Sequence, residues 1–303
     1  YIMKRLLAAI SILTIFTGAN ACYASQNCIF SCTKPYDMSN RFGSALTKVT
    51  GLNIAAEKVA ESILKTQITK NAQGDFKVNI GSYSVPDLKA GRFKSLSVHG
   101  ENVVADGVYF SSLDVNTLCD FNYIVYDKES KTAIFKEDFP LHYAVLISQN
   151  DLNNTMKSSG YNEILEKVST FGKAFSLFDI KSSNVKIRDN RFIYALKVEI
   201  PFINSTQEVA VISDLNVENG KISFNNPQLM NKYYAADFSK ITRALNYLNP
   251  LEFSLKVFEN KNALMDVQNV KIVNNKINID GTIYVPKDGV VSHQINGALA
   301  AVK

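Results

Sequence analysis

The sequence predicts an α+β fold: an elongated, strongly curved antiparallel β-sheet wrapped around a long amphipathic α-helix, with two shorter helices. Three observations lead there. Apolar residues step around one helical face near the start, and two later stretches return to that spacing. Between them run short β-branched and aromatic segments cut by Gly, Pro and Asn. The 303 residues are 46% hydrophobic and 20% charged, too apolar for wholesale disorder and ample for a core. Seven prolines and fourteen glycines exclude collagen-like or low-complexity architecture.

Residues 1–24 read as a secretory signal segment. Met3-Lys4-Arg5 is basic, 6–16 is an eleven-residue apolar run, and Gly18, Ala19, Ala21 and Ala24 supply small residues after it. Such a run is short for a permanent membrane helix. Cleavage is expected after Ala21 or Ala24; in a competing reading Cys22 is acylated as in a lipoprotein. Removing 1–24 takes away two basic and no acidic residues, so the formal charge falls from +5 to +3. That is a mild charge, and together with export it argues against a nucleic-acid partner.

Residues 25–38 form a cysteine-containing leader, and 39–303 a single domain. Cys28-x-x-x-Cys32 has the spacing of a local disulfide, with two idle thiols as the alternative. Zinc would need four ligands, and no His lies nearby. Phe42, Leu46, Val49, Leu52, Ala56, Val59 and Ile63 then step by 4, 3, 3, 4, 3 and 4, which keeps them on one helical face. Glu57, Lys58, Glu61, Lys65 and Lys70 fall mostly on the other, the face expected to meet water. Gly51 would bend this helix, with Asn53 as a fresh N-cap.

Strands are expected at 92–99, 108–116, 121–127 and 142–148. In the third, Phe121, Tyr123 and Val125 share one face while Asn122, Ile124 and Tyr126 share the other. Ser148-Gln149-Asn150-Asp151 has the form of a capping box opening a second helix, with Leu152 and Met156 on one face and a break at Gly160. Further strands are expected in 176–200, 208–216 and 221–224, a third helix near 237–248, and the last strands within 251–285.

Asn184-Val185-Lys186-Ile187-Arg188-Asp189-Asn190-Arg191 aligns with Asn269-Val270-Lys271-Ile272-Val273-Asn274-Asn275-Lys276 at an offset of 85 residues. The helix starts at Asp151 and Asp237 match within one residue, so 150–201 and 236–286 read as a structural duplication of a helix and a tight hairpin. Asn219-Gly220 is a third hairpin turn.

Chemistry is scarce. His99, His142 and His293 have no carboxylate or Cys at ligand spacing, and no nucleophile elbow, Walker loop, zinc-protease or dinucleotide motif occurs. Asp151 and Asp237 are explained as helix starts, leaving Asp179 alone. No catalytic residue, metal or cofactor is expected. The absence of Trp lowers a carbohydrate-binding reading. What remains is apolar surface: a sheet around a helix encloses either a solid core or a tube for an acyl chain. Each buried methylene would contribute about 0.8 kcal/mol.

Gly91-Arg92-Phe93-Lys94-Ser95-Leu96-Ser97-Val98-His99-Gly100-Glu101 resembles a strand of the LmeA-like phospholipid-binding family of bacterial envelope proteins. Residues 108–115 resemble that family's next strand. Phe139-Pro140 through Asp151-Leu152-Asn153 resembles its strand-to-helix junction. The resemblance covers about 88–165 and implies a tubular lipid-binding fold, a periplasmic or envelope location, and binding of phospholipid, especially anionic phospholipid, without catalysis. On that reading Val59, Ile63, Phe121, Tyr123, Leu152 and Met156 would contact the acyl chain, with peripheral membrane contact. The alternative is an envelope scaffold of the same fold with a filled core.

Overall fold

Strand pairing organises the chain. The computed structural model describes residues 30–39, 52–127, 132–174, 179–200, 205–230, 247–258 and 263–289. It begins with α1 (Leu52–Thr69), β1 (Ala72–Ser82), α2 (Val85–Lys89), β2 (Arg92–Ala105), β3 (Val108–Thr117), β4 (Asn122–Asp127), β5 (Thr132–Phe135) and β6 (Phe139–Ser148). Next come α3 (Gln149–Thr155), α4 (Ser159–Ala174), β7 (Asp179–Arg188), β8 (Arg191–Ile200), β9 (Ser205–Glu218) and β10 (Lys221–Leu229). The last elements are α5 (Pro250–Leu255), a 3₁₀ turn (Lys256–Phe258), β11 (Leu264–Val273) and β12 (Lys276–Val285). Eight strands form one sheet in the order β11-β12-β6-β3-β2-β4-β5, with β1 also paired to β2. The second sheet is the meander β10-β9-β8-β7.

Alternation sets the two faces of the larger sheet. Val78, Val98, Val115 and Tyr143 stand opposite one another on successive strands and are buried. Gly281 and the buried Val267 continue that row, and a Cβ at Gly281 would clash with the Asp266 carbonyl oxygen and meet the Tyr143 ring at 2.9 Å. One residue further along, Lys77, His99, Asp114 and Ala144 line up on the opposite face. The core runs on into the smaller sheet through Val185, Phe192, Val211 and Phe224. Phe258 packs on the larger sheet, its ring centroid 5.7 Å from those of both Phe110 and Tyr143.

Hairpin turns are where sequence and structure agree best. Asp106-Gly107, Asp189-Asn190, Asn219-Gly220 and Asn274-Asn275 all have positive φ at both central positions. That is the conformation a two-residue hairpin needs and Asx or Gly tolerates. The turns at 189–190 and 274–275 share one register, with Arg188 opposite Arg191 and Val273 opposite Lys276. The hairpin half of the internal echo is therefore present, although its two copies sit in different sheets. The third expected helix falls outside the described residues except for its last two positions.

The capping box also forms: Ser148 Oγ accepts from the Asp151 N–H, and the Asp151 carboxylate accepts from the Ser148 N–H at 2.8 Å. The break comes at 156–158 and not at Gly160, which lies inside α4. A Cβ at Gly160 would stand 3.2 Å from the Phe253 ring. Close packing, and no change of direction, accounts for that glycine.

The expected sheet wrapped around a long helix does not form. Antiparallel sheet predominates, and the longest described helix, α1, has 18 residues. It runs along the outer edge of β1, where Glu57 accepts from the Ser82 N–H at 2.8 Å and Glu61 from the Ile80 N–H at 3.1 Å. Residues 42–51 lie outside the described residues. Of the residues assigned to water, Glu57 and Glu61 thus dock on the sheet while Lys58, Lys65 and Lys70 stay exposed, because unpaired strand N–H groups demand acceptors and the two carboxylates supply them.

Two other edges are closed in the same way. On β7, the Asn153 side chain accepts from the Val185 N–H at 2.8 Å and donates to the Val185 carbonyl at 2.9 Å. Gln149 accepts from the Ile187 N–H at 2.9 Å, and Ser169 Oγ from the Ile180 N–H at 3.0 Å. On β10, Glu252 accepts from the Ile222 N–H while Asn249 donates to the Ile222 carbonyl. Asn153→Ala strips both partners from Val185 and is expected to cost about 1–3 kcal/mol. Urea unfolding measures this, and the surface substitution Asn162→Ala is the comparison.

Candidate functional site

The six residues expected to line an acyl cavity fall in three places. Val59 and Ile63 are on the outward face of α1, 60% and 59% exposed. Phe121 and Tyr123 lie at the far end of the larger sheet, and Leu152 and Met156 are buried in the core. Only neighbours along the chain come together.

At the sheet end, residues 30–39 form a strap over Phe121 and Tyr123. Tyr36 meets both rings, with centroids 5.4 and 6.1 Å away. Thr33 and Tyr36 donate to the Glu137 carboxylate at 2.8 and 2.6 Å. Asp37 pairs with Arg92 at 2.5 Å, and Arg92 also reaches the buried Asp87 at 3.3 Å. Ser39 donates to Asp87 through both its N–H and its hydroxyl. Burial alone would raise the Asp87 carboxyl, but these hydrogen bonds, that of Ser84 and the Arg92 charge hold it below its ordinary value.

A disulfide completes the strap, and its partner corrects the sequence expectation. Cys32 is bonded to Cys119, 87 residues away, and so is not available to Cys28. The strap's ring and carboxylate contacts bring the two Cα atoms to 5.4 Å, a geometry that local spacing could not reveal. Cys28 itself, and Cys22 with its lipidation expectation, lie outside the described residues.

His99 has the carboxylate neighbours the sequence did not disclose. Its Nδ1 is 3.0 Å from Asp114, directly across on β3, and its Nε2 is 3.1 Å from Glu101. Burial pushes Asp114 up to about 7 although His99 pulls the other way. Burial alone would lower His99, but the two carboxylates outweigh it and raise the imidazole. Both ring nitrogens are engaged, so neither can serve as base to a nucleophile. His142 is lowered by burial, and His293 lies outside the described residues.

Between α4 and β7 lies a cleft of about 650 Å³. Met156 reaches its wall, but Lys157, Glu166, Ser169, Lys173, Asp179 and Lys181 make the lining polar. Asp179 pairs with Lys181 at 2.7 Å and Lys173 at 3.0 Å, and accepts from Ser169. The bonds from Lys181, Ser169 and Lys173 hold it well below the usual carboxylate range. No group of three or more His, Cys, Asp or Glu among the described residues is placed to hold a metal ion. No described helix is long and apolar enough to cross a membrane.

Fold and side chains together define a two-sheet antiparallel β protein whose sheets share one buried hydrophobic cluster, with helix side chains capping the edges of β1, β7 and β10 and one apolar, lysine-bearing helix face turned outward. No family model, curated protein or solved structure matches the chain.

Two outcomes follow from these contacts. Replacing Cys32 and Cys119 together with Ser removes a cross-link spanning 87 residues, and a loss on the order of 4 kcal/mol is expected in urea unfolding. The second concerns pH. Between about 3.8 and about 7 the folded state keeps a proton on Asp114 that the unfolded chain has released. His99 likewise holds its proton above 6.5. Stability therefore falls with rising pH between about 3.8 and about 7 through Asp114 and above 6.5 through His99, against an opposite slope from His142 just below 6.5. Asp114→Asn should remove most of the decline between about pH 5 and about pH 8, read from thermal melts.

Proposed function

We propose that this chain is a non-enzymatic phospholipid-binding protein of the bacterial cell envelope that meets lipid at its surface. The observation that carries the reading is where large apolar side chains are placed. Leu152 and Met156, expected around an acyl chain, are buried within the protein's own core, whereas Val59 and Ile63 stand in the open. The likeness of 88–165 to the LmeA-like family supports a phospholipid ligand. The signal-like segment 1–24 supports export, as does the Cys32–Cys119 disulfide, a bond suited to an oxidising compartment.

A second reading keeps the filled core and dispenses with lipid: an envelope scaffold that binds other proteins. The single buried cluster that takes in Phe110, Tyr143 and Phe258 together with Phe192 and Phe224 of the smaller sheet favours it. Vesicle co-sedimentation separates the two. Protein pelleting with phosphatidylglycerol vesicles, and carrying phospholipid in native mass spectra after gentle purification, is the expected result. Protein that stays in the supernatant with every vesicle composition, and flies free of lipid, leaves the scaffold.

A further inference from the structure

We propose that the outward face of α1 is a docking surface for an anionic phospholipid bilayer, on which the helix lies flat. The inference rests on the phospholipid reading and names the surface that would carry it.

The inward stripe of the helix takes up its acidic residues. Glu57, Glu61, Leu64 and Ile68 follow one another at steps of 4, 3 and 4, and all four turn toward the sheet. Glu57 accepts from both the N–H and the hydroxyl of Ser82, at 2.8 and 2.6 Å. Glu61 accepts from the Ile80 N–H and also holds Lys58 at 2.6 Å. Leu64 packs against the core and Ile68 lies within it. Both acidic residues of α1 are thereby committed to the edge of β1.

What remains outside is apolar and basic. Ala55, Val59, Ser62, Ile63 and Thr66 are exposed along the opposite side. Ile54, in the first turn, is 64% exposed as well. Lys58, Lys65 and, just past the helix end, Lys70 are exposed too. A helix that is neutral by composition therefore shows water a positive face with large apolar side chains on it. That is the chemistry of a helix lying in the boundary between headgroups and acyl chains, with its lysines reaching anionic lipid. Two large side chains in the middle of small ones make a poor seam for a second helix, which would want apolar residues on every turn. They insert shallowly, so attachment should be reversible and should need negative lipid.

The sequence has no Trp, so Ile63→Trp creates the sole indole and a direct reporter. With phosphatidylcholine vesicles containing phosphatidylglycerol, its emission should shift to the blue and be quenched by brominated acyl chains. With phosphatidylcholine alone it should not change. In co-sedimentation, Val59→Asp with Ile63→Asp should weaken binding about tenfold or more. Lys58→Gln and Lys65→Gln should each cost about fivefold, and added salt should weaken wild-type binding in the same direction. Val273→Asp, on an exposed apolar residue of β11, should bind as wild type does, and circular dichroism confirms that each variant is folded. If wild type pellets while the α1 variants pellet equally and the indole stays in water, this docking surface is wrong and the phospholipid reading stands. If wild type pellets with no vesicle, both fall. A wild-type dimer in light scattering that Val59→Asp with Ile63→Asp dissolves would instead assign the face to a second copy of the chain.

Discussion

Unpaired main-chain groups at the sheet edges are the constraint on which this architecture depends. Two open sheets leave rows of N–H and C=O groups that must find partners or invite another chain. Here short helices answer with side chains. Glu57 and Glu61 close β1, Gln149, Asn153 and Ser169 close β7, and Asn249 and Glu252 close β10. Asn153 suits the task because one amide both accepts and donates, matching the N–H and the carbonyl of Val185. A helix held this way is oriented by its polar residues, and its apolar residues take whatever direction is left.

That inversion marks the limit of what could be read from the sequence. The stepping of Val59 and Ile63 correctly located a helix, yet periodicity reports a stripe and not its partner. The identity of the docked face depended on β1 being an edge, which is a property of the sheet order. Local signals fared well. The capping box at Ser148 and Asp151 and the turns at 189–190, 219–220 and 274–275 were legible because each needs only a few consecutive residues of the right type. Contacts across long stretches were not. His99 and Asp114 meet only because strand register sets them opposite, and Cys32 finds Cys119 only through the strap.

The strap shows how such a distant contact becomes structural. Arg92 is buried beside Asp87, and its second carboxylate, Asp37, comes from the strap, as do the Ser39 groups that satisfy Asp87. Removing the strap would leave a desolvated charge pair with fewer partners and uncover Phe121. The disulfide shortens the search for this arrangement by tying one end of the strap to the residue preceding that region.

The same filling of space decides where a lipid could act. A tube for an acyl chain requires facing layers whose side chains stop short of each other. Here Phe258 packs on Phe110 and Tyr143 of the larger sheet, Phe192 packs on Phe224 of the smaller one with centroids 5.3 Å apart, and all five rings belong to one buried cluster. Opening a tube would separate contacts that hold the two layers together, at the cost of cavity formation as well as lost burial. A surface helix carries no such cost, because Val59 and Ile63 are already hydrated and gain by leaving water. The polar cleft beside α4 does not compete for hydrocarbon, since Asp179 and its lysines would lose solvation against it. Interior packing and exterior chemistry therefore point the same way: hydrocarbon is met from outside, by a helix whose acids turn to the sheet and whose lysines face water.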